Sequence, residues 1–225
     1  MTCRACGSVV CGPGATPWAT VRGTNYFHCP DCGYVRVEDT RRPSRPEAEA
    51  RYRLHRNDPA EPGYLAYLEA FVERAVAPFA RAGSRILDFG SGPEPALSLV
   101  LRERGYEAAS WDPLFAPGRR SLRGAFDLIA VHEVAEHLAR PYAAIAGLAR
   151  RLARGGAIAL RTRFHPGDPE VFAGWWYRED PTHISFFEPR TLAAIAARLG
   201  GELVLVEEPD LAVLRPGVVA SEAGA

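Results

Sequence analysis

Between residues 64 and 82 the apolar positions Leu65, Leu68, Phe71, Val72, Ala75, Val76 and Phe79 recur at helical spacing. After this helix, short apolar runs alternate with helical stretches. Ile86–Phe89 reads as a strand. Residues 95–104 read as a helix stopped by Gly105, and Glu107–Trp111 as a second strand. Phe126–Val131 is a strand. Residues 141–154 form a helix with Pro at its start and Gly155-Gly156 beyond its end, followed by a strand at 157–161. A last helix, 189–199, precedes two strands, 202–207 and 211–214, close enough to pair as a hairpin. This alternation predicts an α/β fold: a Rossmann-like, mostly parallel sheet with helices on both faces, closed by an antiparallel hairpin.

Upstream of Gly63 the pattern is different. All five cysteines, Cys3, Cys6, Cys11, Cys29 and Cys32, lie at the N-terminal end, with none after Cys32. Four of them form two C-x2-C pairs, CRAC and CPDC, separated by the stretch 7–28. That spacing suits a zinc ribbon, in which four sulfurs surround one structural ion without an open coordination position. Disulfides and a redox C-x-x-C are the rival readings. The first conflicts with a reducing compartment, and the second belongs at a helix start in a βαβ pattern and leaves the presence of two pairs unexplained. Cys11 is left as a spare thiol, and His28 reads as packing beside a knuckle. Residues 38–62 are charged and proline-rich and read as a linker with a short helix near 47–55. Its Arg51, Arg53, His55 and Arg56 read as a solvated face, with substrate contact as the alternative. The expected organisation is a ribbon over 1–37, a linker over 38–62, a main domain over 63–216 and a frayed tail over 217–225.

Composition narrows the function. The chain has 225 residues, 47% hydrophobic and 24% charged, and its 27 basic and 27 acidic residues balance. A general nucleic-acid binder carries a basic excess. The segment 1–60 leans that way, with nine Arg against six acids. The sequence contains no Lys, which excludes Schiff-base chemistry and a phosphate-loop lysine. The N-terminal residues carry no secretory pattern and no apolar run is long enough to span a bilayer, so a soluble, cytoplasmic protein without a membrane partner is expected.

The candidate chemistry starts at RILDFGSGPEP, residues 85–95, a strand running into a glycine turn. In such sheets a ligand sits where strand order reverses. The turn lacks the last glycine of a dinucleotide fingerprint. Asp88 precedes it, and Asp112 follows the next strand, placed to accept ribose hydroxyls. Carboxylates here repel a pyrophosphate and suit a cationic ligand.

On these residues the chain resembles class I S-adenosylmethionine (SAM)-dependent methyltransferases. LDFGSGPEP is similar to their first motif, WDP at 111–113 to the ribose acid, and FDLIAVHEVAEHL and LARGGAIAL to the segments that follow. A subgroup with an N-terminal zinc ribbon shares the late YREDPTHISFF motif. The resemblance implies SAM as cofactor, held by Asp88, Phe89, Gly90, Ser91, Gly92, Asp112, Pro113, His132 and Glu133, with zinc on Cys3, Cys6, Cys29 and Cys32. Two departures stand out. Glu94 replaces the third motif glycine, and little chain separates Asp112 from Phe126, so the third strand and its helix are abbreviated or missing.

Residues 164–187 hold His165, Trp175, Trp176, Tyr177, Asp180, His183, Phe186 and Phe187, and read as an aromatic lid over an acceptor, with plain core as the alternative for the aromatics. His183 is the candidate general base, with Asp180 and Tyr177 orienting it. His137 is expected to begin a helix and pack against the sheet. Three functions follow: methylation of a small-molecule acceptor, methylation of RNA gripped by the ribbon, or a non-catalytic scaffold with a degenerate cofactor fold. The sequence carries no signal for oligomeric state.

Overall fold

The computed structural model describes residues 2–9, 16–54, 58 and 60–217. Cys11, His55, Arg56 and the tail 218–225 lie outside the described residues. Two sheets share the chain. The larger has six strands: β4 (Arg85–Phe89), β5 (Glu107–Trp111), β6 (Phe126–His132), β7 (Leu152–Arg161), β9 (Glu202–Glu207) and β10 (Leu211–Arg215). Their order across the sheet is β5-β4-β6-β7-β10-β9. The first four are parallel, and β10 runs antiparallel to both β7 and β9. Leu128, Ile129, Ala130 and Val131 of β6 are all fully buried, as a central parallel strand covered on both faces requires. Among the described residues no strand lies between β5 and β6 in sequence, so β5 forms one edge and the third strand is absent, as the short stretch from Asp112 to Phe126 predicts.

Helices α2 (Pro62–Phe71) and α3 (Ala96–Glu103) cover one face, burying Leu68, Phe71, Leu97, Val100 and Leu101 against Ile86, Leu128 and Val213. α2 continues through a π-turn, Val72–Val76, which keeps Val72, Ala75 and Val76 inside. Helices α4 (Pro141–Ala149) and α6 (Pro189–Arg198) cover the other face. α4 is shorter than the sequence predicts. It stops at Ala149, and β7 begins at Leu152. The reason is the glycine pair, which forms a bulge in β7 instead of capping a helix. Phe126 pairs with Leu152, but Leu128 pairs with Ala157, so β7 carries extra residues. Gly155 takes φ +80°, and a Cβ on Gly156 would meet the Asp127 carbonyl at 2.9 Å.

The smaller sheet is built from β1 (Ala19–Val21), β2 (Thr24–His28), β3 (Val35–Val37) and β8 (Ser185–Phe186), paired in that order. Three strands come from the cysteine-bearing segment, and the fourth comes from the predicted lid. Val35 pairs with Phe186 and Arg36 with Ser185. The short helix α5 (Pro169–Ala173) buries Phe172 beside them. Tyr26, Val35, Val37, Phe172, Tyr177, Ile184 and Phe186 form a core of their own between the two segments. The 164–187 segment is therefore a packed wall. Phe172, Phe186 and Phe187 are core, whereas Trp176 is 63% exposed. His165 is buried, its Nε2 2.7 Å from the Gly33 carbonyl. Among the described residues no helix is long and apolar enough to cross a membrane.

Candidate functional site

Three sites sit along the carboxyl ends of the parallel strands and the wall beside them. The first is the glycine turn after β4, where connections leave to β5 on one side and β6 on the other. Gly90 has φ +79° and donates its N–H to the Trp111 carbonyl at 2.8 Å. A Cβ there would meet Val134 Cγ2 at 2.6 Å, so the close approach needs glycine. Gly92 has φ +69°, and open space surrounds the position its Cβ would take. Its N–H donates to Asp112 Oδ2 at 3.0 Å, while Asp112 Oδ1 accepts from the N–H groups of Leu114 and Phe115 at 2.7 and 3.0 Å. Asp112 thereby fixes the two loops that frame the crevice. Ser91 Oγ is buried without a hydrogen-bond partner. Phe89 stacks on Trp111 with centroids 5.2 Å apart, and a cleft of about 930 Å3 opens from these rings and Pro113 along α4, on the side left uncovered by the missing strand.

Asp88 is 3% exposed, and its Oδ2 accepts from Ser98 Oγ at 2.9 Å. Burial pushes its pKa up to about 6, against the pull of the Ser98 hydrogen bond, and the nearby Asp112 charge adds to the rise. Its folded pKa therefore lies above the unfolded value near 4, so ionised Asp88 costs stability. The cost grows as pH rises from about 4 to about 6 and is fully present above that. Asp88→Asn is expected to raise the melting temperature at pH 7.5, by an amount equivalent to up to about 3 kcal/mol. The advantage should shrink toward pH 4. With the cofactor role that the resemblance implies for Asp88, the same variant should bind SAM at least about tenfold more weakly. Thermal melts across pH and calorimetry check the two halves separately. A variant that gains no stability and loses no affinity contradicts this reading of Asp88.

The second site is a polar chamber at the end of β6. Glu133 adopts φ +53°, a left-handed conformation that a non-glycine residue holds only under constraint. Its carboxylate accepts from Tyr67 OH at 2.8 Å and from Tyr177 OH at 3.1 Å. Burial, then the neighbouring Glu136, pushes its pKa up to about 8. Burial likewise holds Tyr177 well above the ordinary tyrosine value, keeping it a neutral donor. The Tyr177 ring lies 4.2 Å from the His183 ring, and the Tyr177 carbonyl sits 2.6 Å from His183 Nδ1. A carbonyl carries no proton, so Nδ1 is the protonated nitrogen. Asp180 accepts from the N–H and hydroxyl of Thr182 and pairs with Arg51 at 2.8 Å. The imidazole is thus oriented by the backbone of Tyr177, while Asp180 fixes the turn that carries it.

His137 departs from the sequence expectation. Residues 135–137 make a single 3-10 turn, with no helix until Pro141. Its ring faces Tyr52 at 5.1 Å and His183 at 4.9 Å instead of the sheet, because the Thr182 carbonyl takes its Nδ1 at 2.9 Å. His132 packs between Tyr67 and Phe71, and burial lowers its pKa to about 3, so it stays neutral.

The linker helix α1 (Arg45–Tyr52) is more than a solvated face. Arg45 donates to the Pro113 carbonyl, Arg53 lies over Phe115, and Arg51 reaches Asp180. It bridges the crevice loop and the chamber. Glu136, Tyr67 and Tyr52 were not legible as site residues. Tyr52 and Tyr67 read as ordinary helix positions, and Glu136 reaches the chamber only because the predicted helix is a turn.

The third site is the cysteine cluster. Cys3 and Cys32 Sγ atoms are 3.7 Å apart, as are those of Cys6 and Cys29, and all four sulfurs lie within 4.8 Å of one another. A disulfide would need about 2.05 Å. A tetrahedral ion with bonds near 2.3 Å would set sulfur–sulfur edges of about 3.8 Å. The cluster is compatible with a zinc ribbon. Gly7 and Gly33 follow the knuckles at φ +83° and +75°. His28 stacks on Trp18, and the knuckles dock on the main domain through Thr191 Oγ1 to the Cys32 carbonyl and Arg198 to the Ala5 carbonyl.

A sheet of this order with a glycine turn at its switch point is a Rossmann-like fold. Residues 61–206, well over half of the chain, match the methyltransferase-domain family, and the chain belongs to it. No curated protein matches the sequence. Solved structures share the fold. An O-methyltransferase family protein from Burkholderia thailandensis superposes at TM-score 0.51 with 16% identity, over 68% of this chain and 55% of that one. Magnesium protoporphyrin IX methyltransferase from Synechocystis PCC 6803, with bound SAH, gives 0.53 and 15%, over 69% and 84%. The methyltransferase in a complex with the Haloferax volcanii Trm112 activator gives 0.55 and 13%, over 76% and 97%. This chain thus spans little more than half the length of the Burkholderia protein.

Proposed function

We propose that the protein transfers a methyl group from SAM to a small-molecule acceptor held in the chamber of Glu133, Tyr177 and His183. The observation that carries this is the juxtaposition of two sites. A crevice with Asp88 and Asp112 suits a cationic nucleoside, and beside it stands a walled chamber of neutral donors and lone pairs. SAM supplies a methyl group already activated on a sulfonium. Asp112 takes the ribose hydroxyls, Pro113 packs on the adenine, Phe89 to Gly92 line the turn, and Asp88 faces the cationic end. His132 and Glu133 close the inner side. Tyr177 and Asp180 fix His183, whose remaining ring nitrogen meets the acceptor. Placing the acceptor in line with the methyl and excluding water contribute most of the acceleration. The acceptor proton would leave by way of His183.

Zinc on Cys3, Cys6, Cys29 and Cys32 is proposed as structural, supplying folding energy to a segment too small to bury a core alone. Methylation of RNA is the second reading. The excess of Arg over acids in the segment 1–60 supports it. Tritiated SAM offered with panels of small hydroxyl and amine compounds and with total RNA tests the proposal. Label in small molecules supports it, and label retained only in salt-sensitive RNA complexes overturns it in favour of the second reading. Label in neither, with SAM bound, would favour a scaffold.

A further inference from the structure

We propose that Glu136, His137 and His183 form a second metal site, distinct from the cysteine cluster, that holds a divalent first-row transition ion in the chamber. One ligand atom from each residue lies within 4.8 Å of the others. Glu136 is fully buried. Its Oε2 accepts from Thr162 Oγ1 at 2.8 Å, its Oε1 has no well-aligned donor, and Tyr177 and Glu133 lie near enough to favour its charged form. An unsatisfied carboxylate oxygen in a dry chamber is costly unless a cation completes it. Oε1 faces His137 Nε2 at 3.8 Å. Both imidazoles are held by backbone carbonyls at Nδ1, His137 by Thr182 and His183 by Tyr177. That fixes each ring in the tautomer whose Nε2 carries a lone pair, which is the outer-sphere arrangement that orients metal-binding histidines.

The Glu136–His137 pair already stands at a distance that one ion can bridge. Bonds of about 2.1 Å to Oε1 and to Nε2 span the observed separation at an open ligand–metal–ligand angle. Two imidazoles and one carboxylate select zinc, manganese, iron or cobalt over calcium and magnesium, which favour all-oxygen shells. Among the described residues three protein ligands meet here, which leaves coordination positions open. In the methyl-transfer reading, on which this last point rests, an ion on His183 Nε2 replaces the ring as the group that meets the acceptor, and its open positions would take an acceptor oxygen and lower its pKa. The ion itself does not depend on that reading.

The test uses the full chain with its ribbon zinc-loaded, titrated with Mn2+ and followed by the electron paramagnetic resonance of free Mn2+. Manganese leaves thiolate-bound zinc in place, so it reports the second site. Calorimetry with SAM and thermal melts are run on the same samples. One Mn2+ bound per chain is expected. Glu136→Gln and His183→Gln should each weaken it at least about tenfold, with melting temperature and SAM affinity nearly unchanged. Dialysis against zinc should give two equivalents in the wild type and one in either variant. A single zinc equivalent without Mn2+ binding overturns the proposal. So does Mn2+ binding that both folded variants retain. Failure of SAM to bind would count against the methyl-transfer reading alone.

Discussion

Stripping metal with a strong chelator and restoring only Mn2+ to the Glu136 site is expected to abolish methyl transfer while SAM still binds, and Cys29→Ser should do the same. The cysteine segment contributes strands of three, five and three residues, too short for stability of their own. Structural zinc contributes on the order of 10 kcal/mol or more to such modules. Without it β3 loses its shape, and β3 is the pairing partner of β8. The β8 segment closely follows His183, and Ile184 ties it to the Glu136 carbonyl and to Val37. Losing the ribbon therefore loosens the chamber wall that holds the imidazole. Gly90, Gly92 and Asp112 belong to the other sheet and its loops, so the crevice should survive. The ribbon also covers part of the main core, including Phe187 and Leu192, so a fall in melting temperature of about 10 °C or more is expected. Turnover, SAM calorimetry and melting, measured before and after chelation, check this. Full turnover in the zinc-free chain would contradict the coupling.

His183→Ala is expected to lower turnover about 100-fold or more, with SAM affinity changed by no more than about threefold. The ring sits between Tyr177 and His137, on the chamber side and away from the glycine turn. Asp180→Asn should fall between wild type and His183→Ala, because it weakens the Arg51 pair and the Thr182 turn without removing the imidazole. Tyr177→Phe removes one donor from Glu133 and should raise the acceptor KM more than it lowers kcat. A large loss of SAM affinity in His183→Ala would move His183 from the acceptor to the cofactor.

The parts of the fold written in local pattern were legible. The apolar runs of β4 and β6, the glycine turn, the two knuckles and the missing third strand all rest on short-range spacing. What depended on distant contacts was not. Nothing around Ser185 announces that it pairs with Arg36, so a wall read as a lid. The Gly155-Gly156 pair has the chemistry of a helix end, yet tertiary pairing with β6 makes it a bulge. Glu136 and His137 look like the start of a helix. They become chamber residues because the Ile184 N–H takes the Glu136 carbonyl and the Thr182 carbonyl takes the His137 ring. The arginines of α1 resembled a solvated face until Asp180 and Pro113, far along the chain, came to meet them.

The central claim is that the acid-flanked glycine turn holds SAM. Calorimetric titration of the zinc-loaded chain with SAM, with NAD as control, tests it most directly. The expected result is one SAM bound per chain with micromolar affinity, weakened at least about tenfold in Asp112→Asn, and no heat from NAD. Binding of NAD in place of SAM, or SAM binding indifferent to Asp112, would contradict it.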